Sequence, residues 1–228
     1  ANDYYMQIEY GTYTRPYIAV KPVSLTGHKY FKGAWRMTNA IHSWSWNGFE
    51  GTKAEVEVYG LGQYAELYLD GKRIGKKKLK KNKAIFKTVY QPGTLTAKVY
   101  RTDKTLWGED SLTTAGKETR LSVQAEKTLL RADGQDLCYL TISLTDAKGK
   151  LKPAKDMDVY VQVEGDCVTL AGLGSARTRT DETFHADHHL THFGRAQAIL
   201  RAAATTGTAK VTARCDGCEP VTVVLEVK

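Results

Sequence analysis

Apolar residues recur at every second position along almost the whole of this chain. Ala54, Val56 and Val58 alternate with charged residues, and the same spacing runs through 138–144. Successive side chains of a β-strand point to opposite faces, so this period predicts half-buried strands. The apolar spacing of amphipathic helices is nearly absent. An all-β fold is therefore predicted.

Turn signals separate the alternating runs. Asp70-Gly71 predicts a tight type I′ hairpin, because both central positions of that turn need positive φ. Pro92-Gly93 predicts a second reversal, between paired strands at 83–90 and 94–100. From Arg120 onwards a further series of six or seven short strands is typical of an immunoglobulin-like sandwich.

The charge of the chain is uneven. The formal net charge is +8, and most of the excess falls in the run Lys72–Lys87. The run follows a turn signal and contains no interleaved tryptophan or tyrosine, so a solvated hairpin rim is expected, with polyanion binding as the alternative. After about residue 120 the charge is balanced.

The start of the second strand series coincides with this change of charge. We therefore predict two immunoglobulin-like β-sandwich domains in tandem. Residues 1–50 form a lead-in segment and the first strands of domain 1, residues 51–118 the remainder of that domain, and residues 119–228 domain 2.

Several short motifs resemble, in the same order, the C-terminal modules of glycoside hydrolase family 2, in particular bacterial β-galactosidase-type members. They are PYIAVKPV at 16–23, HSWSWNG at 42–48, VEVY at 56–59, AELYLDGK at 65–72, YQPGTL at 90–95, ADGQDL at 132–137 and FGRA at 193–196. The resemblance implies a non-catalytic C-terminal accessory region of a β-galactosidase-type or β-glucuronidase-type enzyme. Its expected partner is the catalytic barrel of the same enzyme, with a homo-oligomer as a further option.

The acidic residues do not suggest a hydrolase active site. Retaining glycosidases need two carboxyl groups about 5–5.5 Å apart. Here Glu55 and Glu57 fall on a polar strand face, while Glu182 and Glu219 fall near turns. We therefore expect this chain alone not to be an enzyme.

Trp44 and Trp46, with Trp35 nearby, predict an aromatic strand face. Core packing is the expected role, because each tryptophan buries about 150–250 Å². Stacking on sugars is the alternative, and it would make the chain a carbohydrate-binding module.

Four histidines, His185, His188, His189 and His192, have a spacing that could ligate zinc, although a solvated loop is the expected reading. Cys138 and Cys215 fall on inward positions that would permit an inter-sheet disulfide, with buried free thiols as the alternative.

No cofactor and no nucleic-acid partner are expected. No membrane partner is expected either, since no run of 18 apolar residues occurs. A bacterial cytoplasmic and a secreted location remain equally open.

Overall fold

The computed structural model describes residues 1–28 and 38–228, which divide into two compact units, 1–114 and 115–228. We refer to them as the first and second domains. Each contains two β-sheets, and nearly all the pairings are antiparallel. The prediction of an all-β chain with two sandwich domains is confirmed. The division lies between residues 114 and 115, slightly before the predicted boundary after residue 118.

The first domain begins with a helix that the alternating pattern did not indicate. Helix α1 spans Asn2–Glu9, strand β1 spans Tyr17–Val20, and a 3-10 helix spans Val23–Leu25. Ile8 is the buried residue of α1. Two turns with one buried position are too short to produce a recognisable helical period.

Six further strands complete two sheets in the first domain, ordered β1-β2-β5 and β4-β3-β6-β7. They are β2 (Lys53–Tyr59), β3 (Tyr64–Leu69), β4 (Lys72–Lys78), β5 (Lys83–Val89), β6 (Thr94–Tyr100) and β7 (Leu106–Thr113). The predicted pairing of β5 with β6 is wrong. β5 pairs with β2 and β6 pairs with β3, so the Pro92-Gly93 reversal carries the chain from one sheet to the other.

The predicted hairpin at Asp70-Gly71 is confirmed. Both residues have positive φ, at 47° and 79°, and they join β3 to β4. Strand β4 is the edge of its sheet, and five of its seven residues are Lys or Arg. All five are exposed, as expected for a solvated rim.

The second domain follows the alternating pattern closely. Its strands are β8 (Arg120–Ala125), β9 (Leu129–Leu130), β10 (Leu137–Thr145), β11 (Asp158–Glu164), β12 (Val168–Gly174), β13 (His188–Leu190), β14 (Arg195–Ala202), β15 (Gly207–Arg214) and β16 (Val221–Val227). One sheet has the order β12-β14-β10-β8 and the other β13-β11-β15-β16-β9. Inward residues of both sheets, such as Leu140 and Val161, share one apolar core.

Two buried charged side chains, Lys152 and Asp146, form hydrogen bonds with the first residues of the second domain. The Lys152 ammonium donates to the carbonyls of Lys117 and Glu118, both at 2.8 Å, and to Thr119 Oγ1 at 3.0 Å. The Asp146 carboxylate accepts the backbone N–H of Gly116 at 2.8 Å. The segment 116–119 is therefore an ordered part of the second domain.

None of the helices in the described residues is both long and apolar enough to cross a membrane.

Candidate functional site

Trp44 and Trp46 lie in the core of the first domain. Both side chains are fully buried. The Trp44 indole N–H donates to the carbonyl of Gln91 at 2.9 Å, and its ring meets Tyr90 edge-on with centroids 4.9 Å apart. Neither ring offers a face to a ligand, so the sugar-binding interpretation of these tryptophans is wrong and core packing is their role. Trp35 lies outside the described residues.

The four histidines do not converge on a common point. His188 and His189 are neighbours on β13, so their side chains point to opposite faces: His188 is exposed beside Asp187, and His189 is buried. His185 lies in the exposed turn before β13, and His192 forms an isolated bridge with Arg195. Within residues 1–28 and 38–228, no group of three His, Cys, Asp or Glu side chains could hold a metal ion. The zinc interpretation is wrong, and the solvated-loop interpretation fails for His189.

The disulfide between Cys138 and Cys215 is also wrong, because all four cysteines are free thiols. Cys138 lies at the start of β10, where its thiol donates to the Lys127 carbonyl at 3.0 Å. Cys215 lies in the turn with Cys218, whose thiol reaches the Thr119 carbonyl beside the far end of β10. At about 3.4 Å per strand residue, the two ends are roughly 20 Å apart, and a disulfide needs Cα atoms within about 7 Å.

Burial keeps these thiols protonated. It raises the pKa of Cys138, and together with the hydrogen bond to Cys218 it raises the pKa of Cys215 to about 12. A thiol is a weak nucleophile and metal ligand in that state. Neither Cys138 nor Cys215 is activated as a nucleophile or as a metal ligand.

Glu57 is the most completely enclosed acid of the first domain. Its carboxylate accepts hydrogen bonds from the Tyr59 hydroxyl and from Thr38 Oγ1 at 2.8 Å, and it pairs with the Lys83 ammonium at 2.7 Å. Burial acts to raise the pKa of Glu57, but the hydrogen bonds from Lys83, Tyr59 and Thr38 outweigh burial and place it below its ordinary value. Glu57 is therefore ionised at neutral pH.

Two other buried acids are held in the same way. Burial opposes ionisation of Glu66, but hydrogen bonds from Tyr68 and Lys76 lower its pKa overall. At Asp146 the backbone N–H groups of Gly116, Lys150 and Lys148 have the same effect. A general acid for glycoside cleavage must keep its proton near neutral pH, which requires a raised pKa. The pKa values of Glu57, Glu66 and Asp146 are instead lowered.

One open groove on the five-stranded sheet contains two acids, Asp187 and Asp216. Both are exposed. Both side chains are in contact with solvent, without the apolar surroundings typical of a catalytic acid.

Family models match parts of both domains. Residues 121–224 match the family model described as glycoside hydrolase family 2 C-terminal domain 5, and residues 51–107 match a domain of unknown function, DUF4982. The two matches fall in the second and the first domain respectively.

Curated relatives extend well beyond this chain. "Beta-galactosidase BoGH2A" of Bacteroides ovatus is 26% identical over 191 residues, which are 82% of this chain and 22% of that protein. A "Beta-glucuronidase" of Formosa agariphila is 24% identical over 86% of this chain and 20% of its own length. The chain thus spans about a fifth of the length of these relatives.

Solved structures agree in fold. A glycosyl hydrolase family 2 member from Bacteroides cellulosilyticus superimposes with a TM-score of 0.84 at 28% identity, covering 99% of this chain and 30% of that one. A β-glucuronidase of glycoside hydrolase family 2 shares the fold, with a TM-score of 0.75 at 19% identity over 99% of this chain and 21% of its own. The family match over the second domain, the similarity over nearly the whole chain and the ordered motifs agree. The second domain thus matches the family 2 C-terminal domain model, and the chain as a whole is similar to the C-terminal β-sandwich region of glycoside hydrolase family 2 proteins.

Proposed function

We propose that this chain is a non-catalytic accessory region of a bacterial glycoside hydrolase family 2 enzyme of the β-galactosidase or β-glucuronidase type. Its role is to support the catalytic barrel of that enzyme, or an oligomer of it. The observation that carries this proposal is the state of the buried acids. Glu57, Glu66 and Asp146 are each held ionised by donors around them, so none can protonate a leaving group.

A direct assay tests the non-catalytic part. The purified 228-residue chain is incubated with nitrophenyl β-galactoside and nitrophenyl β-glucuronide at several pH values. We expect release of nitrophenol at the buffer rate. Turnover that co-purifies with the chain and is lost in Glu57→Gln or Glu66→Gln would overturn the proposal.

The supporting role is tested in the enzyme that contains this chain. Versions with and without residues 1–228 are compared for thermal inactivation and for kcat and KM on the same substrates. We expect removal to shorten the half-life at elevated temperature. An enzyme whose inactivation rate and oligomeric state are both unchanged would contradict a supporting role.

A further inference from the structure

A groove on the outer face of the β12-β14-β10-β8 sheet of the second domain has no role so far. It is open to solvent and has a volume of about 440 Å³, within the range of small-molecule sites. Gly172, Gly174 and Ile199 form its apolar floor, because Leu173 and Ala198 between them point into the core. We call it the Phe184 groove, after the aromatic ring that forms one wall.

Phe184 is exposed and yet fixed in place. Its ring is 52% exposed, although its backbone carbonyl accepts the N–H of Leu173 at 2.8 Å. Gly174 makes room for it, since a Cβ at that position would lie 2.5 Å from Phe184 Cδ1. The ring adjoins the apolar floor of the groove, so Phe184 extends a contiguous apolar patch, which is the kind of surface that marks a binding site.

The buried His189 supports this ring from behind. The two rings stack with centroids 5.6 Å apart and an angle of 7° between their planes. The His189 Nδ1 lies 2.9 Å from the Leu190 carbonyl, which fixes the orientation of the imidazole. The histidine that the sequence placed in a zinc cluster thus holds the wall of the groove.

Hydrogen-bonding side chains also line the groove. Gln197 pairs with Gly174 on one side and with Thr141 on the other, and Thr141 pairs with Gln124. These side chains form one row across the sheet, spaced by the roughly 4.8 Å between strands. A shallower groove that shares Thr141 and Gln197 continues the row towards Gln124 and Tyr139.

Two further groups add donors at the groove itself. The Arg195 guanidinium borders it, and the buried hydroxyl of Ser175 has no hydrogen-bond partner among the described residues. Among the residues that the structure describes, no carboxylate lines the Phe184 groove. The lining therefore combines one aromatic face with amides, hydroxyls and a guanidinium, and it is without negative charge.

We propose that the Phe184 groove binds a pyranose unit of a neutral oligosaccharide. A pyranose has an apolar C–H face that can stack on the open face of Phe184, while its hydroxyls can bond to Gln197, Thr141 and Arg195. Peptide binding by strand addition needs a free strand edge, whereas at the edge of β12 the N–H of Leu173 already donates to the Phe184 carbonyl. The site assignment rests on the second domain alone, so its failure would leave the proposed supporting role intact.

The test is titration of the ¹⁵N-labelled 228-residue chain with neutral tetrasaccharides of β-linked galactose, glucose and xylose, followed by NMR. We expect at least one sugar to shift the amide signals of Gly174 and Gln197 with a Kd of about 1 mM or tighter. Phe184→Ala should weaken binding about tenfold or more, because it removes the stacking surface. Tyr160→Ala is the matched control, since Tyr160 is an exposed aromatic residue on the opposite sheet of the same domain.

Any of four outcomes would overturn the proposal. One is that none of the sugars shifts the groove signals at about 10 mM. Another is that Phe184→Ala, shown to be folded by its NMR spectrum, binds as tightly as the wild type, or that Tyr160→Ala loses binding equally. The last is that the same signals shift when the protein is concentrated without sugar, which would identify self-association at the groove.

Discussion

At the scale of single residues, Glu57 shows how far the surroundings of a strand decide the role of its side chains. Alternation along β2 predicted that Glu57 shares a polar face with Glu55. Glu55 does pair with Lys21 at the surface, but Glu57 is buried. The alternating pattern identifies two faces of a strand, and it carries no information about whether the polar face is later covered. Tyr59 and Thr38 cover it here.

Replacing Glu57 with glutamine should destabilise the first domain. The change leaves the largely buried Lys83 ammonium without its counter-charge, and we expect a loss of about 2–3 kcal/mol in the free energy of unfolding. Urea denaturation at pH 7 measures it. The control is Glu55→Gln on the same strand, which should cost less than about 1 kcal/mol because the Glu55 carboxylate is partly exposed, at 27%, whereas Glu57 is buried. Equal losses in the two variants would contradict the assigned role of Glu57.

The same network predicts how stability depends on pH. The pKa of Glu57 in the folded state lies below the value of 4.5 that it has without its partners. The contribution of ionised Glu57 to the free energy of unfolding is therefore complete above about pH 5. It is lost as the pH falls through the pKa that Glu57 has in the folded protein. Denaturation between about pH 5 and pH 3 should show a steeper loss for the wild type than for Glu57→Gln. Parallel curves would rule out Glu57 as the titrating group.

At the scale of elements, the positions of turns were predicted correctly from local sequence, but the pairing of strands across a turn was not. The Asp70-Gly71 hairpin follows from two residues that favour positive φ, so local chemistry is sufficient to specify it. The reversal at Pro92-Gly93 was located correctly, but a turn does not determine whether the next strand returns to the same sheet. That choice depends on which faces of β5 and β6 are buried against partners distant in sequence.

Gly71 provides a test of the hairpin. It has φ of 79°, so Gly71→Ala should destabilise the first domain by about 1–2 kcal/mol, because a Cβ is disfavoured in the left-handed region. Gly71→Asn should cost clearly less, since asparagine tolerates that conformation. Thermal unfolding of the two variants measures the difference. Identical unfolding temperatures for the two variants would show that the positive φ at position 71 is not the cause of the destabilisation.

At the scale of the whole molecule, the second domain was the more predictable half. Its inward residues are those that the alternation selected, and they form one core. The Phe184 groove could not be predicted in the same way. Phe184 and Ser175 lie outside the strands, and the Phe184 ring meets Gly174 and His189 only through the fold. No periodic signal connects such residues.

The two domains have separate cores, so we expect two separable unfolding transitions. Lys152→Met removes three hydrogen bonds to the segment 117–119 and should lower the unfolding temperature of the second domain only. Glu57→Gln should affect only the first. Differential scanning calorimetry of the 228-residue chain distinguishes the two. A single transition that both variants shift equally would show that the domains unfold as one unit.

The lysine-rich β4 limits how copies of this chain can associate. As an edge strand, it presents backbone N–H and C=O groups that another strand could in principle extend into a continuous sheet. If β4 of a second copy paired there, the two cationic rows would face each other across about 4.8 Å. Like charges at that distance repel, so growth of the sheet through this edge is blocked. Self-association of this chain by pairing of two β4 strands is therefore disfavoured.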